Sequence, residues 1–558
     1  MRSQMCANMN FIAKTFKAFG FVLMLTVATS ASAQYRFGGL LMDRDGMMSN
    51  DMFTLSQTSF GFGTARSMAM AGAFTSLGGD ISSMGINPAG LGMYRSNEVT
   101  ISPMMGFQSA KNSADSWGEN SLSRFSIANL GIVFNLYEGS GGLVSLNMAL
   151  GYNRVADLNY NYGYASISAP SSMPYRSIND AFVRQLGQGG VFPDSSDVLN
   201  YEYGDAYYWG GMLAYNGFML DVDTDQWGDY WTSANRIGAN ASIGHTVGEE
   251  SRGSVGEYDV ALGMNIDNKI YIGATLGLQV VNWKRQIYYS EDYIYSSAPV
   301  YGDGTPMPEG DAAEWMDYNQ AVDIDGAGVN FKLGLIYRPI PSLRLGTAIH
   351  TPTYYSLDRT YQAFMSTKLN PSGDTTPALD DKGPNAWTFS SPTRLMFGAS
   401  YSIGSVAVLS LDYERTWYNG MRVHDVPNGF DIYPNEYRQE FKDNFKGGNT
   451  LRAGVEVKPL PMLAFRVGYG LSDGALRNDR SLYYNRPLAY KKSCYSAGVG
   501  FSFGHTTLDV AYQHLVQKNT SYMLYYALDE AGVFDTASPL YSTDYNRDRV
   551  VLTLGYRF

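Results

Sequence analysis

Cysteine is almost missing from this chain: Cys6 and Cys494 are the two present in 558 residues. Cys6 lies in an N-terminal leader, so neither a disulfide framework nor a Cys-based metal site can form in the rest of the chain. Histidine is also sparse, at His245, His350, His424, His505 and His514, and no pair has metal-ligand spacing. No Ser sits in a Gly-x-Ser-x-Gly turn. An enzyme, a metal and a cofactor are therefore not expected. Basic residues are outnumbered, 41 to 52, for a net charge of −11, which argues against nucleic acid as a partner. Charged residues make up only 17% of the chain, yet beyond the leader no apolar run approaches the roughly 20 residues of a membrane-spanning helix.

The leader reads as a secretory signal. Arg2, Lys14 and Lys17 precede an apolar run from Ala18 to Ala28, and Ala31-Ser32-Ala33 is a small-x-small cleavage site. Residues 1–33 are assigned to this signal, and the exported chain is expected to begin near Gln34.

What is present in quantity is glycine and tyrosine, 60 and 43 residues, the composition of Gly-punctuated, aromatic strands. The last segment is the clearest case. Val550, Leu552, Leu554, Tyr556 and Phe558 alternate with Val551, Thr553, Gly555 and Arg557. One face of such a strand suits an apolar medium and the other a polar one. A terminal Phe on the apolar face resembles the insertion signal of outer-membrane β-barrels, which makes the barrel-assembly machinery an expected partner through Phe558. A mean hydropathy of −0.21 does not oppose this, because a barrel shows lipid only alternate residues.

From Tyr94 onward fourteen period-2 segments succeed one another, near 94–108, 122–137, 143–155, 255–266, 269–286, 322–338, 342–359, 389–402, 405–418, 448–458, 462–472, 493–503, 506–517 and 548–558. Their connections alternate in length. Short links at 138–142, Asp267-Asn268, Pro339-Ile340-Pro341, 402–404, Pro459-Leu460-Pro461 and Gly504 carry tight-turn chemistry. The intervening links are long, the longest at 156–254. Short turns on one side and long loops on the other are the pattern of a transmembrane barrel. The reading is an all-β, fourteen-stranded antiparallel outer-membrane barrel over 94–558, monomeric, lipid- and lipopolysaccharide-contacting, with both chain ends on the periplasmic side. A soluble β-sandwich would not carry fourteen strands with this asymmetry.

Charges sit on one face of these segments: Lys332 and Arg338, Arg344, Arg394, Asp412 and Glu414, Arg452 and Glu456, Arg466, Asp509. A cation on the lipid face costs about 2–4 kcal/mol at mid-bilayer, so this face must line the lumen. Most of these charges are expected to pair with one another. Arg344, Arg394 and Arg452 are the candidates for holding a ligand carboxylate instead.

A fourteen-stranded barrel is too wide for its own side chains to fill. Residues 34–93 are rich in Gly, Ala, Ser and Met and are expected to enter the lumen from the turn side as a plug. Phe60, Phe62, Met68, Met70 and Phe74 within it would either anchor the plug or line a hydrophobic site. The run Gly72-Ala73-Phe74-Thr75-Ser76-Leu77-Gly78-Gly79-Asp80 leads to Asn87-Pro88-Ala89-Gly90-Leu91, just before the first strand. It resembles the hatch and Asn-Pro-Ala motif of the FadL/TodX family of outer-membrane transporters for long-chain fatty acids and other hydrophobic compounds. Gly328 to Pro352 is similar to that family's central hairpin. The resemblance implies a plugged fourteen-stranded barrel that takes up hydrophobic small molecules passively, with Asn87, Pro88, Ala89 and Gly90 as the gating motif.

Two segments depart from the family pattern: LLMDRDGMMSNDMF near residue 40, and the aromatic 156–254 connection, in which Ser177 to Gly187 has helical periodicity. These departures keep open a barrel that serves as an accessory to a secretion or surface-assembly system. A wide aqueous porin is disfavoured by the plug, and an energy-coupled transporter by the strand number. Gly151, in the third strand, is a candidate kink for a sideways opening.

Overall fold

Antiparallel pairing joins each alternating segment to the next. The computed structural model describes residues 37–38, 41, 44–57, 60, 63–112, 120–168, 177–188, 209–225, 228–369, 373–375, 378–380, 385–426, 434–477, 491–528, 534–538 and 540–558. The expected signal and Phe62 lie outside them.

Fourteen strands close the barrel: β1 (Glu98–Asn112), β2 (Asn120–Gly141), β3 (Leu143–Asp157, continued by Tyr160–Ser168), β4 (Ala241–Ile266), β5 (Ile270–Tyr295), β6 (Ala313–Ile340) and β7 (Leu343–His350, continued by Tyr354–Leu369). The second half supplies β8 (Asn385–Ser390 and Arg394–Ile403), β9 (Ala407–Trp417 and Arg422–Asp425), β10 (Gly447–Leu460), β11 (Leu463–Ser472), β12 (Lys492–Phe503), β13 (Thr506–Met523) and β14 (Leu540–Arg557). β14 returns to β1, with Val99 opposite Tyr556, so the sheet has no free edge. The tight turns gather at one end. Asp267 and Asn268 there have φ of 52° and 54°, two left-handed residues inside a turn that the Lys269 N–H closes on the Ile266 carbonyl at 3.0 Å.

Nearest the turns, outward residues are apolar and exposed: Ile272, Leu276 and Leu278 on β5, Val329, Phe331 and Leu333 on β6, Val550, Leu552 and Leu554 on β14. Inward residues are polar, as with Thr275, Gln279, Asn330 and Lys332. A continuous apolar exterior of this height faces lipid, and the chain is a transmembrane barrel.

Beyond the belt the facing inverts. On β5 the outward residues become Asn282, Lys284 and Gln286, while Trp283, Ile287, Tyr289 and Tyr293 turn inward and are buried. β6 and β7 do likewise, with Tyr318, Val322 and Ile324, and Tyr355, Leu357 and Tyr361 inside. Much of what reads from sequence as long loops at 241–254, 287–295, 313–321 and 360–369 is therefore continuous strand. In water the apolar face must be the inner one, so the alternation persists with its meaning reversed.

The vault so formed is filled by helices α1 (Arg44–Leu55), α4 (Ile178–Gln188), α5 (Trp209–Asn216) and α6 (Pro434–Asn444), numbered with the plug helices α2 (Ala65–Ala69) and α3 (Ser83–Ile86) between. α4 is the helix that periodicity places at 177–187. Met52, Phe53 and Leu55 of α1 join Phe182, Leu213 and Phe441 in one buried core.

That packing corrects the expected chain path. Phe37 pairs with Ala527, and the Leu41 N–H donates to the Leu524 carbonyl at 2.8 Å, in the connection between β13 and β14. Phe558 is at the other end, its N–H donating to the Asn97 carbonyl at 3.1 Å. The described N-terminal residues thus begin at the loop end, and the two ends of the described chain do not share a side. Apolar Leu41, Met52 and Phe53 find burial in the vault, whereas the lumen near the turns is polar. Gly151, the candidate kink, pairs with Gly131 on one side and Asp259 on the other.

Candidate functional site

The plug descends from the vault through the lumen to Tyr94. Its local structure is short. Thr64 caps α2, its hydroxyl accepting the Ser67 N–H at 3.2 Å. Asn87 caps a 3-10 turn over Pro88–Met93, with Pro88 in the first position, where a missing N–H costs nothing. So irregular a backbone leaves peptide groups without helical or sheet partners, and buried peptide groups must find some.

The lumen wall supplies them. Asp412 accepts the Thr75 N–H at 2.7 Å and Ser496 the Ala71 N–H at 3.0 Å. Thr275 donates to the Met84 carbonyl at 2.9 Å, Asn147 to Leu91 at 2.8 Å and Arg344 to Leu77 at 3.1 Å. His350 donates from Nε2 to the Ile86 carbonyl at 2.9 Å. Where the plug backbone touches the wall, the wall carries glycine. A Cβ on Gly346 would lie 2.8 Å from the Thr75 carbonyl carbon and 2.9 Å from Ser76 Cα. Gly334 faces Asn87, and Gly454 faces Met70 in the same way. These glycines form a collar sized for the plug.

Asn87 is the best-connected residue of the Asn-Pro-Ala segment. Fully buried, it donates from Nδ2 to the Thr75 carbonyl at 2.6 Å, within the plug. It also reaches the carbonyls of Leu335 on β6 and Thr347 on β7 at 3.4 and 3.3 Å, while its Oδ1 accepts the Ala89 N–H at 3.1 Å. Pro88, Ala89 and Gly90 are buried beside it, with Gly90 against Gly78.

The opposite side of the plug is held by charge. Arg66 pairs with Glu456 of β10 at 2.9 Å, and Glu456 also holds Arg466 at 2.6 Å. Arg466 continues to Asp509. Glu414 receives both Arg394, at 2.8 Å, and Arg452, at 2.7 Å. Lys332 is held by Glu257 and Asp259, partners on β4 that sequence reasoning did not single out. Arg338 donates to the Pro341 carbonyl at the turn end.

Two polar chambers flank the plug. The inner one, about 120 Å³, lies between α3 and the end of α1 and is lined by Asn153, Glu257, Lys332, Arg394 and Arg452 among others. The second, about 180 Å³, opens toward the turns between Arg66, Asp80, Glu98, Arg466 and Asp509.

The expected ligand residues divide accordingly. Arg394 and Arg452 line the inner chamber but are shared by Glu414. Arg344 lies lower and holds Leu77. Phe60 packs with Ala71 and Cys494, Met68 with Met104 and Val551, and Met70 with Phe74 and Leu77. None of these four plug residues lines either chamber; all four are buried in these packing clusters. Of the connection aromatics, Tyr160 and Tyr162 donate to Glu249, Trp209 and Trp231 are buried in the vault, and Tyr230 is exposed. Among the described residues, no group of three His, Cys, Asp or Glu is placed to hold a metal ion.

No protein-family model and no curated protein matches the chain. Solved structures do. A Pseudomonas aeruginosa FadL homologue is 11% identical, with 90% of this chain and 99% of that chain covered and a TM-score of 0.50. The deltaS2 mutant of the TodX monoaromatic hydrocarbon channel is 14% identical, with 89% and 98% covered and a TM-score of 0.50. At such identity the likeness establishes a shared fold, that of a plugged fourteen-stranded barrel.

Proposed function

We propose that the protein is an outer-membrane channel for passive uptake of hydrophobic or amphipathic small molecules, with long-chain fatty acids as the leading class, and that residues 34–93 gate it. In this reading the turns face the periplasm and the vault faces outward. The observation that carries it is the pair of chambers on opposite sides of the plug. What divides them is held by hydrogen bonds, ion pairs and van der Waals contact, all of which can open and re-form. The solved structures of like fold, a FadL homologue and a hydrocarbon channel, support the same class of cargo.

The test is uptake of a labelled fatty acid into proteoliposomes, beside leakage of a small polar antibiotic. Asn87→Ala with Pro88→Ala is expected to change uptake while the barrel keeps its heat-modifiable migration on gels. Unchanged uptake and leakage would reduce the motif to a structural turn.

A second reading, an accessory barrel for secretion or surface assembly, is favoured by the vault. Strands of 26 and 28 residues (β5 and β6) run far past the roughly 9–11 residues needed to span the bilayer, so a rigid structure projects from the membrane. Co-purification with a large assembly, and no uptake by the wild type, would favour it.

A further inference from the structure

We propose that the inner wall of β14, β1 and β2, just above the apolar belt, is a binding site for the anionic head group of an amphiphile, with a carboxylate as the fitting chemistry. Sheet register creates the site. Gly106 of β1 is opposite Arg124 of β2 and Arg549 of β14, and the next inward row places Gln108 between Leu122 and Arg547. Adjacent strands are about 4.8 Å apart, so two guanidinium-bearing residues flank a position without a side chain. The result is a small cavity of about 20 Å³ in the wall, which Asp157 and Asn159 at the end of β3 close. Pairing between β2 and β3 stops at Asn129 opposite Asn153, and residues 120–128 of β2 pair with β1 alone. The site therefore lies beside a seam in the barrel.

Charge is unbalanced here. Arg154 is 3.5 Å from Asp157, and Arg547 donates to the Asp157 and Asn159 carbonyls at 3.0 and 3.5 Å. Arg549 donates to Gln513 at 2.9 Å, and Lys492, a neighbour of Arg547 and Arg549, donates to Gln57 at 2.7 Å. Asp548 is engaged on the outer face by His514, at 2.7 Å, and by Tyr512. Among the described residues, the inward Asp157 is left to face Arg124, Arg154, Arg547, Arg549 and Lys492.

Unused hydrogen-bond capacity has the same sign. The Nε atoms of Arg124 and Arg154 and the Nε2 of Gln108, a side chain 7% exposed, are buried without a hydrogen-bond partner. All three are donors. A buried cation or donor is costly unless paired, and what completes this set is an acceptor carrying negative charge. Phe107 and Phe125, on the outward face of the same two strands, are exposed at 44% and 69%, so an apolar tail beside the seam meets lipid-facing aromatics. This separates the site from the ion pairs around the plug, where Glu257, Glu414 and Glu456 already satisfy their cations.

The experiment uses the full chain purified in neutral detergent, with a fluorescent long-chain fatty carboxylate and the matching fatty alcohol as probes. The carboxylate is expected to bind at least about tenfold more tightly than the alcohol. Arg124→Gln with Arg549→Gln should bring it to the level of the alcohol, whereas Arg124→Lys with Arg549→Lys should keep most of the difference. Heat-modifiable migration establishes that each variant is folded. Equal binding of the two probes, or no loss in the Gln variant, overturns the site. Full displacement of the carboxylate by millimolar inorganic phosphate would overturn the head-group assignment in favour of a free anion. Binding in detergent is independent of transport, so failure here leaves the uptake reading standing, and loss of uptake leaves this site standing.

Discussion

Arg66 of the plug donates from Nε to the Glu456 carboxylate of β10 at 2.9 Å, across a separation of 390 residues. Its guanidinium also lies 5.3 Å from the centre of the Phe74 ring and 3.3 Å from the Gly79 carbonyl. One side chain thus ties two turns of the plug to the wall, at the edge of the turn-end chamber.

Breaking one member of a largely buried pair costs about 3–5 kcal/mol, less where water reaches one partner, as it does Arg66. Arg66→Gln is therefore expected to loosen the plug on its β10 side and raise leakage of small polar antibiotics several-fold. Glu456 keeps Arg466, so the barrel itself should stay folded. Leakage at the wild-type level would show that the ion pair does not hold the closed state.

The glycine collar gives a steric counterpart. Gly346→Val places methyl groups where the Thr75 and Ser76 backbone runs. A wall strand paired on both sides cannot retreat, so the plug must. Planar-bilayer conductance is expected to rise from near zero to open-pore levels. A closed channel carrying this substitution would mean that the plug has another route around β7.

In the vault, Asp51 of α1 is fully buried between Arg285 and Arg359, at 3.2 and 3.3 Å. Asp51→Ala removes the buried carboxylate that Arg359 and Arg285 share, leaving Arg285 with Glu249 at 3.9 Å, and is expected to cost about 3–5 kcal/mol. Hydrogen exchange over residues 44–57 should then accelerate by two orders of magnitude or more, while β4 to β7 remain protected. Unchanged exchange would assign the anchoring of α1 to Met52 and Phe53 instead.

His245 sets a pH dependence for the same region, outside the membrane-spanning segments. Its Nδ1 bonds the Tyr289 hydroxyl at 2.8 Å, and that hydroxyl donates to Glu291 at 2.6 Å. Burial pushes the imidazole down to about 4. Its unfolded counterpart binds a proton near 6.5, so the unfolded vault gains protons first on acidification. Stability contributed by neutral His245 is full above pH 6.5 and falls by about 3 kcal/mol as pH drops toward 4. Burial pushes the Glu291 carboxyl up, which acts in the opposite sense at lower pH, and comparison with His245→Gln isolates the imidazole. Proteolysis of the vault should accelerate between pH 6.5 and 4.5 in the wild type and much less in the variant. Parallel curves would refute the assignment.

The alternation of Val550, Leu552, Leu554 and Tyr556 with polar partners is sufficient by itself for a lipid-facing strand, because lipid demands an apolar outer face whatever the neighbouring strand is. The turns at Asp267-Asn268 and Gly504 are legible for a similarly local reason, since left-handed backbone favours Asn, Asp or Gly. The same period of two continues past Val280 on β5, but alternation alone does not say which face is inside. Water outside the belt reverses the answer, and only the folded strands reveal it. The plug's path is hidden for another reason: an irregular chain has no period, and its partners, such as Asp412 for Thr75 or Leu335 and Thr347 for Asn87, stand hundreds of residues away. Arg124 and Arg549 are inconspicuous in sequence. Register across β2, β1 and β14 puts Gly106 between them, and that neighbourhood exists only once the barrel has closed.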